Sequence, residues 1–445
     1  MQKVLILGAG RVSNPIVQYL LQNDFFVTAA DIDLKKAEAN INNHPNGKAI
    51  AFSVDDQAVL DQLVASHDLT VSLLPWMFHL KVAESCVRFK KHMVTTSYVK
   101  PEMQNLDSAA REAGIIILNE LGLDPGIDHM SAMRIIDNVH ARGGIIDEFY
   151  SICGALPAPE AANNPFHYKF SWSPKGVVLA SMNDASYKRR GDMVEIPTAN
   201  LFKNPIKVNF PEVGMLDVYP NRDSVSYIDI YGIPEVQTIM RGTFRFPGWC
   251  ETLDAIKALG IISQDKFDYT GMSYAQFMAH CIGSENSENI RQQLAAKLGI
   301  NPEAYALDAL EWLGLFSKNL MNRSLDSGFE IVSDMMLEKM ELASSERDMV
   351  VLQHTFLASY PDETSEVIRS RMLDFGKPGG DTSIARTVAL PAAIGVKMIL
   401  QGNIKLTGIY RPVLPEIYNP ILDELENLNI RMEEEYGLPL SENIY

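Results

Sequence analysis

The sequence predicts an α/β protein built on a doubly wound parallel sheet. Three observations carry that expectation. Apolar runs of strand length alternate with segments of helix length over residues 1–118. The first run leads straight into Gly8-Ala-Gly10. The last run, Gly114-Ile-Ile-Ile-Leu118, leads into Asn119-Glu-Leu-Gly-Leu-Asp-Pro-Gly-Ile-Asp-His129. That stretch crowds carboxylates, glycine and a histidine at the carboxyl end of a strand, the edge where open α/β sheets bind ligands.

In order, strands are expected at 3–7, 25–30, 48–53, 69–74, 93–96 and 114–118, with helices at 12–23, 33–42, 59–67, 78–90 and 103–114 between them. Leu-Asp-Pro-Gly then forces a turn, because Pro125 fixes one φ and Gly126 frees the next. Asp128 is placed to cap a helix starting at His129. After Met130 the texture changes. Residues 145–250 are rich in aromatics, Pro and Gly, with strand-like pieces Glu148-Phe-Tyr-Ser-Ile-Cys153 and Val225-Ser-Tyr-Ile-Asp-Ile230. Residues 251–340 read as mainly helical, and 348–375 as a hairpin around Tyr360-Pro-Asp-Glu363. Residues 382–400 read as a buried helix returning to the first domain. The acidic run Glu433-Glu-Glu435 reads as a solvated helix face.

A chain of 445 residues is too long for one ordinary core, so two or three domains are expected. Its 47% hydrophobic and 21% charged content describe a globular protein of enzyme size. A net charge of -17 disfavours nucleic acid and anionic membrane partners. An anionic substrate would therefore need a local basic pocket. The four cysteines Cys86, Cys153, Cys250 and Cys281 are far apart, and the histidines show no ligand spacing, so no metal centre is expected. The N-terminus lacks the shape of a signal peptide. No apolar stretch reaches about 18 residues, since 387–400 is interrupted by Lys397. A cytoplasmic protein is the expectation.

Gly8-Ala-Gly10-Arg-Val-Ser13 suits a dinucleotide. Two glycines allow a tight turn and close backbone approach to a pyrophosphate, and the next helix offers its amides and dipole. Ser13 stands where a third glycine is usual. A purely structural glycine turn is the plain alternative. Asp31 ends the second strand, where an acid accepts hydrogen bonds from the adenine ribose of NAD and repels the 2′-phosphate of NADP. Its plain alternative is a helix cap for the segment from Leu34, and Lys35 and Lys36 leave NADP open. Leu74-Pro75 and Thr95-Thr-Ser-Tyr98 close two more strands on the same crevice. Tyr98 is either a hydrogen-bond donor to substrate or a packing residue. Arg222, Arg241 and Arg245 sit near Pro and Gly turns. Such forks grip carboxylates at two points; surface arginines are the alternative.

These blocks resemble saccharopine dehydrogenase of the glutamate-forming type, the saccharopine reductase family. The likeness covers nearly the whole chain. It is densest at 95–98, 119–129, 153–160, 164–173, 219–224 and 241–245, and continues through 346–354 and 385–402. It implies a variant Rossmann domain over 1–128 plus about 383–420, an α/β substrate-binding and dimerisation domain over 129–250 and about 345–382, and a small helical insertion over 251–344. It implies a homodimer. It also implies oxidation of saccharopine with NAD(P)+ to L-glutamate and 2-aminoadipate 6-semialdehyde, or the reverse, in lysine metabolism.

Carried over by position, the resemblance places the cofactor against Gly8, Ala9, Gly10, Arg11, Val12, Asp31, Ser53, Val54, Leu74 and Pro75. It adds Leu123, Pro125, Gly126, Asp128, Ser173, Lys175 and Gly176. Substrate is placed against Ser97, Tyr98, Asp124, Arg222, Thr243, Phe244 and Arg245. Asp124, Tyr98 and Cys153 are the candidates for proton handling, with Cys153 expected to shape the pocket rather than attack. Asp31-Ile32 departs from the Cys-Arg pair of fungal NADP-using members, so NAD is favoured and NADP not excluded. Ala155 replaces a family glycine, Trp76 a tyrosine, and Pro174-Lys175 a Ser-Arg pair. Two rivals remain: a carboxynorspermidine dehydrogenase, whose substrate carries fewer carboxylates, and a Rossmann protein that only senses dinucleotide.

Overall fold

The computed structural model describes residues 1–172 and 174–444. The chain first supplies strands β1 (Lys3–Leu7), β2 (Phe26–Asp31), β3 (Gly47–Ala51), β4 (Leu69–Ser72), β5 (His92–Thr95) and β6 (Ile116–Leu118). Next come β7 (Ile145–Pro157), β8 (Ala185–Arg189), β9 (Asp192–Ile196), β10 (Ile206–Phe210), β11 (Gly214–Pro220) and β12 (Thr238–Arg245). A two-stranded ribbon, β13 (Lys266–Asp268) and β14 (Leu325–Ser327), lies within a mainly helical segment. The hairpin β15 (Asp348–Ser359) and β16 (Ser365–Phe375) follows, then β17 (Gly408–Tyr410) and β18 (Glu433–Leu438).

The first sheet is parallel throughout, in the order β17-β6-β5-β4-β1-β2-β3. Strand order reverses between β1 and β4, which opens a crevice at their carboxyl ends. Both faces are covered, and β1 shows why. Val4 and Ile6 join a core that includes the helices Asn14–Gln22 and Ser383–Leu400, while Leu5 and Leu7 join another with Gln57–Ala65 and His79–Phe89. A strand buried on both faces reads as an unbroken apolar run. The helix Ser383–Leu400 is long and apolar enough to cross a membrane, yet 78% of it is buried inside the protein.

The second sheet has nine strands along the path β10-β11-β12-β7-β15-β16-β18, with β8 and β9 attached at β12. Its two faces part company along β7. Phe149 and Cys153 belong to the core shared with the first lobe, while Tyr150, Ile152 and Leu156 join the core with the helical segment. The segment 383–420 contributes β17, which pairs with β6 in the first sheet, and 345–382 contributes the hairpin of the second.

Several local expectations are corrected. The single helix at 103–114 is two short ones, Pro101–Gln104 and Asp107–Ala113. Residues 225–230 form no strand; Tyr227–Tyr231 is a helix, which buries both tyrosines one turn apart. The acidic run is β18, not a helix face. It pairs antiparallel with β16, where Arg369 faces Glu435 and Arg371 faces Glu433, and opposite charges across a ladder favour the strand. The helix after the turn begins at Ile127 with Gly126 as its cap, so Asp128 lies inside it.

The turn itself is tightly made. Gly122 N–H donates to Pro125 O at 3.0 Å and Ile127 N–H to Gly122 O at 2.8 Å. Gly126 has φ +148, and a Cβ there would sit 1.9 Å from Gly122 O. Gly126→Ala is therefore expected to cost on the order of 3 kcal/mol or more, read as a fall in denaturant midpoint. An unchanged midpoint would mean the turn relaxes freely.

Candidate active site

The crevice between β1 and β4 carries the features a dinucleotide needs. Gly8 has φ +101, and a Cβ there would press on Leu73 O at 3.0 Å. Beside Gly10 the space is open. Ser13 Oγ donates to Gly10 O at 2.7 Å and accepts from Asn40 Nδ2 at 2.6 Å, which ties the turn to the next helix. Asp31 stands at the end of β2. Its Oδ2 accepts from Ala9 N–H at 2.6 Å and its Oδ1 from Asp33 N–H at 2.9 Å. Asp33, not Asp31, caps the helix Leu34–Ile41. Ser53 and Val54 follow β3, and Leu74 and Pro75 follow β4, on the same edge. Arg11 reaches across to Glu341 at 3.0 Å. These residues fit a dinucleotide.

Next to that crevice lies a cavity of about 450 Å³. From the first lobe Val12, Ser97, Tyr98, Leu123, Asp124 and Pro125 line it; from the second, Cys153, Arg222, Thr243 and Arg245. The expected substrate and proton-handling residues therefore share one space, Phe244 excepted. That side chain is wholly buried in the second lobe's core. Asp128 is corrected too: it is fully buried, and its Oδ1 accepts from Gly126 N–H and His129 N–H at 2.6 and 2.8 Å. Its side chain has no face left for a cofactor. Gly126 packs on Gly122 rather than on the cavity. Lys175 pairs with Glu330 at 2.5 Å. It and Gly176 belong to the helix Pro174–Ala180, which reaches the cavity at Ala180. Ser173 lies outside the described residues.

Beneath the cavity floor is a chain of buried charges. Arg241 Nη2 donates to Asp124 Oδ1 and to the Tyr98 hydroxyl at 3.1 Å, and lies 3.5 Å from Asp128 Oδ2. Its Nη1 donates to Tyr227 OH at 2.8 Å. Tyr98 OH in turn donates to Asp124 Oδ1 at 3.2 Å. Behind Asp128, His129 Nε2 meets Glu120 Oε2 at 2.8 Å, and Glu120 Oε1 accepts from Arg411 Nε and Val99 N–H, each at 2.8 Å. Arg241 was expected to face an anionic ligand with Arg222 and Arg245. It is instead the counter-ion of Asp124 and Asp128.

The protonation states follow from this packing. Burial alone would strip His129 of its proton, but the Asp128 charge and the Glu120 hydrogen bond outweigh it and hold the imidazole above its usual range. Burial would raise Glu120, yet His129 and Arg411 keep it below the usual carboxylate range. Burial raises Asp128. Burial also pushes the Tyr98 phenol and the Cys153 thiol well up, so both keep their protons. Cys153 lines the cavity as a protonated thiol.

Arg245 differs from Arg241. It is buried, ringed by Tyr168, Tyr219 and Trp249 at 5.1–5.9 Å, and its Nη1 donates to Phe244 O at 2.8 Å. Its Nε has no partner, and its cross-strand neighbour Asp217 is taken by Lys207. No acidic side chain among the described residues pairs with it. Arg222 is exposed, lies 5.9 Å from the Tyr98 ring centre, and borders the cavity mouth.

A doubly wound nucleotide-binding lobe, joined by an acid–tyrosine–arginine cluster to a cavity with an unpaired guanidinium, defines a class of dinucleotide-dependent oxidoreductases acting on anionic substrates. Residues 4–118 match the family model described as saccharopine dehydrogenase NADP binding domain, and residues 122–430 the saccharopine dehydrogenase C-terminal domain. The chain belongs to the saccharopine dehydrogenase family. It is 38% identical to saccharopine dehydrogenase (NADP(+), L-glutamate-forming) of Schizosaccharomyces pombe, over 98% of this chain and 99% of that one. Against mitochondrial alpha-aminoadipic semialdehyde synthase of Bos taurus it is 36% identical, over 94% of this chain and 46% of the relative. The apo saccharopine dehydrogenase (L-Glu forming) structure from Saccharomyces cerevisiae superposes with a TM-score of 0.90 at 36% identity, covering 98% of this chain and all of that one.

Removing Arg241 would strip the guanidinium counter-charge from the buried Asp128 and the half-buried Asp124. Arg241→Leu is expected to cost about 3–5 kcal/mol at neutral pH by denaturant unfolding. The deficit should shrink towards about pH 5, because a buried acid with a raised folded pKa destabilises as pH rises through that pKa. A deficit under about 1 kcal/mol, or one growing on acidification, would mean the guanidinium is not the counter-charge.

Proposed function

We propose that the protein oxidises saccharopine, with water and a nicotinamide dinucleotide, to L-glutamate and 2-aminoadipate 6-semialdehyde, with NAD preferred. The unpaired, buried Arg245 is the observation that carries this reading. A guanidinium held in a cavity without an acid costs desolvation that the surrounding rings and the Phe244 carbonyl offset in part and an anionic ligand offsets further. Saccharopine is a secondary amine with three carboxylates. Arg245 takes one of them, and Arg222 at the mouth meets another.

A dinucleotide bound along Gly8–Val12 and Asp31 supplies the hydride acceptor. The chain's own residues orient the amine and manage protons. Hydride loss from the carbon beside the amine leaves an imine, which water adds to and splits. Arg241 and Tyr98 both hold Asp124 through Oδ1. That leaves Oδ2 to take the proton as water attacks. Tyr98, which keeps its proton, fixes that carboxylate in place.

The fungal relatives carry NADP(+) in their names. Cofactor choice is where this chain is expected to part from them, because Asp31 ends β2 and Ile32 beside it is exposed. A carboxylate there accepts ribose hydroxyls and repels a 2′-phosphate. The test is absorbance of reduced dinucleotide on adding saccharopine, with NAD and NADP side by side. Asp31 also holds the Ala9 N–H, so Asp31→Ala should weaken use of both cofactors, but NAD more. Equal loss would contradict the assignment. Arg245→Met should raise the saccharopine KM about a hundredfold, and the exposed Arg222→Ala about tenfold, with the dinucleotide KM little changed. An unchanged saccharopine KM in Arg245→Met would remove the carboxylate anchor.

A further inference from the structure

His79 begins the helix His79–Phe89, directly behind the strand ends that border the cavity. It is buried, and both ring nitrogens are engaged. Nδ1 lies 2.8 Å from Ser72 Oγ and Nε2 lies 2.7 Å from Ser97 Oγ. Ser72 ends β4, is wholly buried and does not line the cavity. Ser97 follows β5 and does line it. Thr95 Oγ1 is 3.5 Å from Nε2 but gives its hydrogen to Ser72 O at 2.9 Å.

A neutral imidazole has one donor and one acceptor nitrogen. Burial depresses His79 to about 4, so the ring is neutral near pH 7. Its two tautomers give Ser97 opposite roles. With the proton on Nδ1, the ring donates to Ser72, and Ser97 must donate back to Nε2. Ser97 then offers the cavity only lone pairs. With the proton on Nε2, Ser72 donates to Nδ1 and the ring donates to Ser97 Oγ. The Ser97 hydrogen is then free to point into the cavity. A carboxylate ligand accepts hydrogen bonds only, so it selects the second arrangement.

We infer that His79 is a positioning residue: through the chain Ser72–His79–Ser97 it holds Ser97 as a hydrogen-bond donor to a substrate carboxylate. This rests on the saccharopine reading above. A purely structural histidine would join the tips of β4 and β5 and leave substrate affinity alone. Three variants separate the two roles. His79→Phe keeps the ring shape and removes both hydrogen bonds. His79→Gln keeps a donor towards Ser97. Ser72→Ala alters only the far end, out of reach of substrate.

Steady-state kinetics with saccharopine and with dinucleotide read the result. His79→Phe and Ser97→Ala should each raise the saccharopine KM about tenfold, with kcat and the dinucleotide KM within about twofold. The double variant should be no worse than the poorer single one, because both break one chain. His79→Gln should recover most of the loss, and Ser72→Ala should raise the KM about threefold. A rise in Ser97→Ala with none in His79→Phe or Ser72→Ala would overturn the role of His79 and leave the saccharopine reading intact. Multiplying effects in the double variant would do the same. Should His79→Phe not fold, Ser72→Ala and His79→Gln decide alone, and a normal KM in Ser72→Ala counts against the relay. Wild-type protein without saccharopine turnover would overturn both.

Discussion

A buried guanidinium joins the two lobes and sets the floor of the site. Arg241 sits on β12 of the second lobe, with 4% of its side chain exposed. Its acids come from the first lobe, Asp124 from the turn after β6 and Asp128 from the first turn of the helix that follows, and Tyr98 comes from the loop after β5. Burying such charges is costly unless each finds partners. Here the signs alternate along Arg411, Glu120, His129, Asp128, Arg241 and Asp124, so no charge is left alone. The array ends on the cavity wall at Asp124.

Around this floor, charge is distributed for an anionic ligand in an acidic protein. The net charge of -17 repels a tricarboxylate at long range. Arg245 works locally, where aromatic rings keep water away and a charged hydrogen bond counts for more. Arg222 is at the mouth, where solvent screens it. One arginine lies inside the cavity without an acid, another stands at its entrance, and the third is paired to two acids beneath its floor. Their neighbours, not their residue type, separate these roles.

What was legible in the sequence was local. Gly8-Ala-Gly10 after an apolar strand, the Ile-rich run at 114–118 and the Pro125-Gly126 turn each carry their own backbone chemistry, and the parallel sheet follows from their spacing. The resemblance brought Ser97, Tyr98, Asp124, Cys153, Arg222, Thr243 and Arg245 together, and the cavity contains all of them. What stayed hidden depends on distant partners. Arg241 and Asp124 are 117 residues apart, so nothing near Arg241 marks it as a counter-ion. His129 meets Glu120 nine residues away, but only the fold turns both inward. Tyr227 and Tyr231 sit within a stretch of alternating texture, and their spacing of four is the helical signal within it. Glu433–Leu438 becomes a strand because β16 offers arginines to face it.

A ternary crystal structure with saccharopine and oxidised dinucleotide tests the central claim most directly. It should show a saccharopine carboxylate on the Arg245 guanidinium, with the amine between the nicotinamide ring and Asp124, and with Arg241 still paired to Asp124 and Asp128. A complex in which Arg245 meets no ligand atom, or in which Arg241 leaves its acids to bind substrate, would contradict the account.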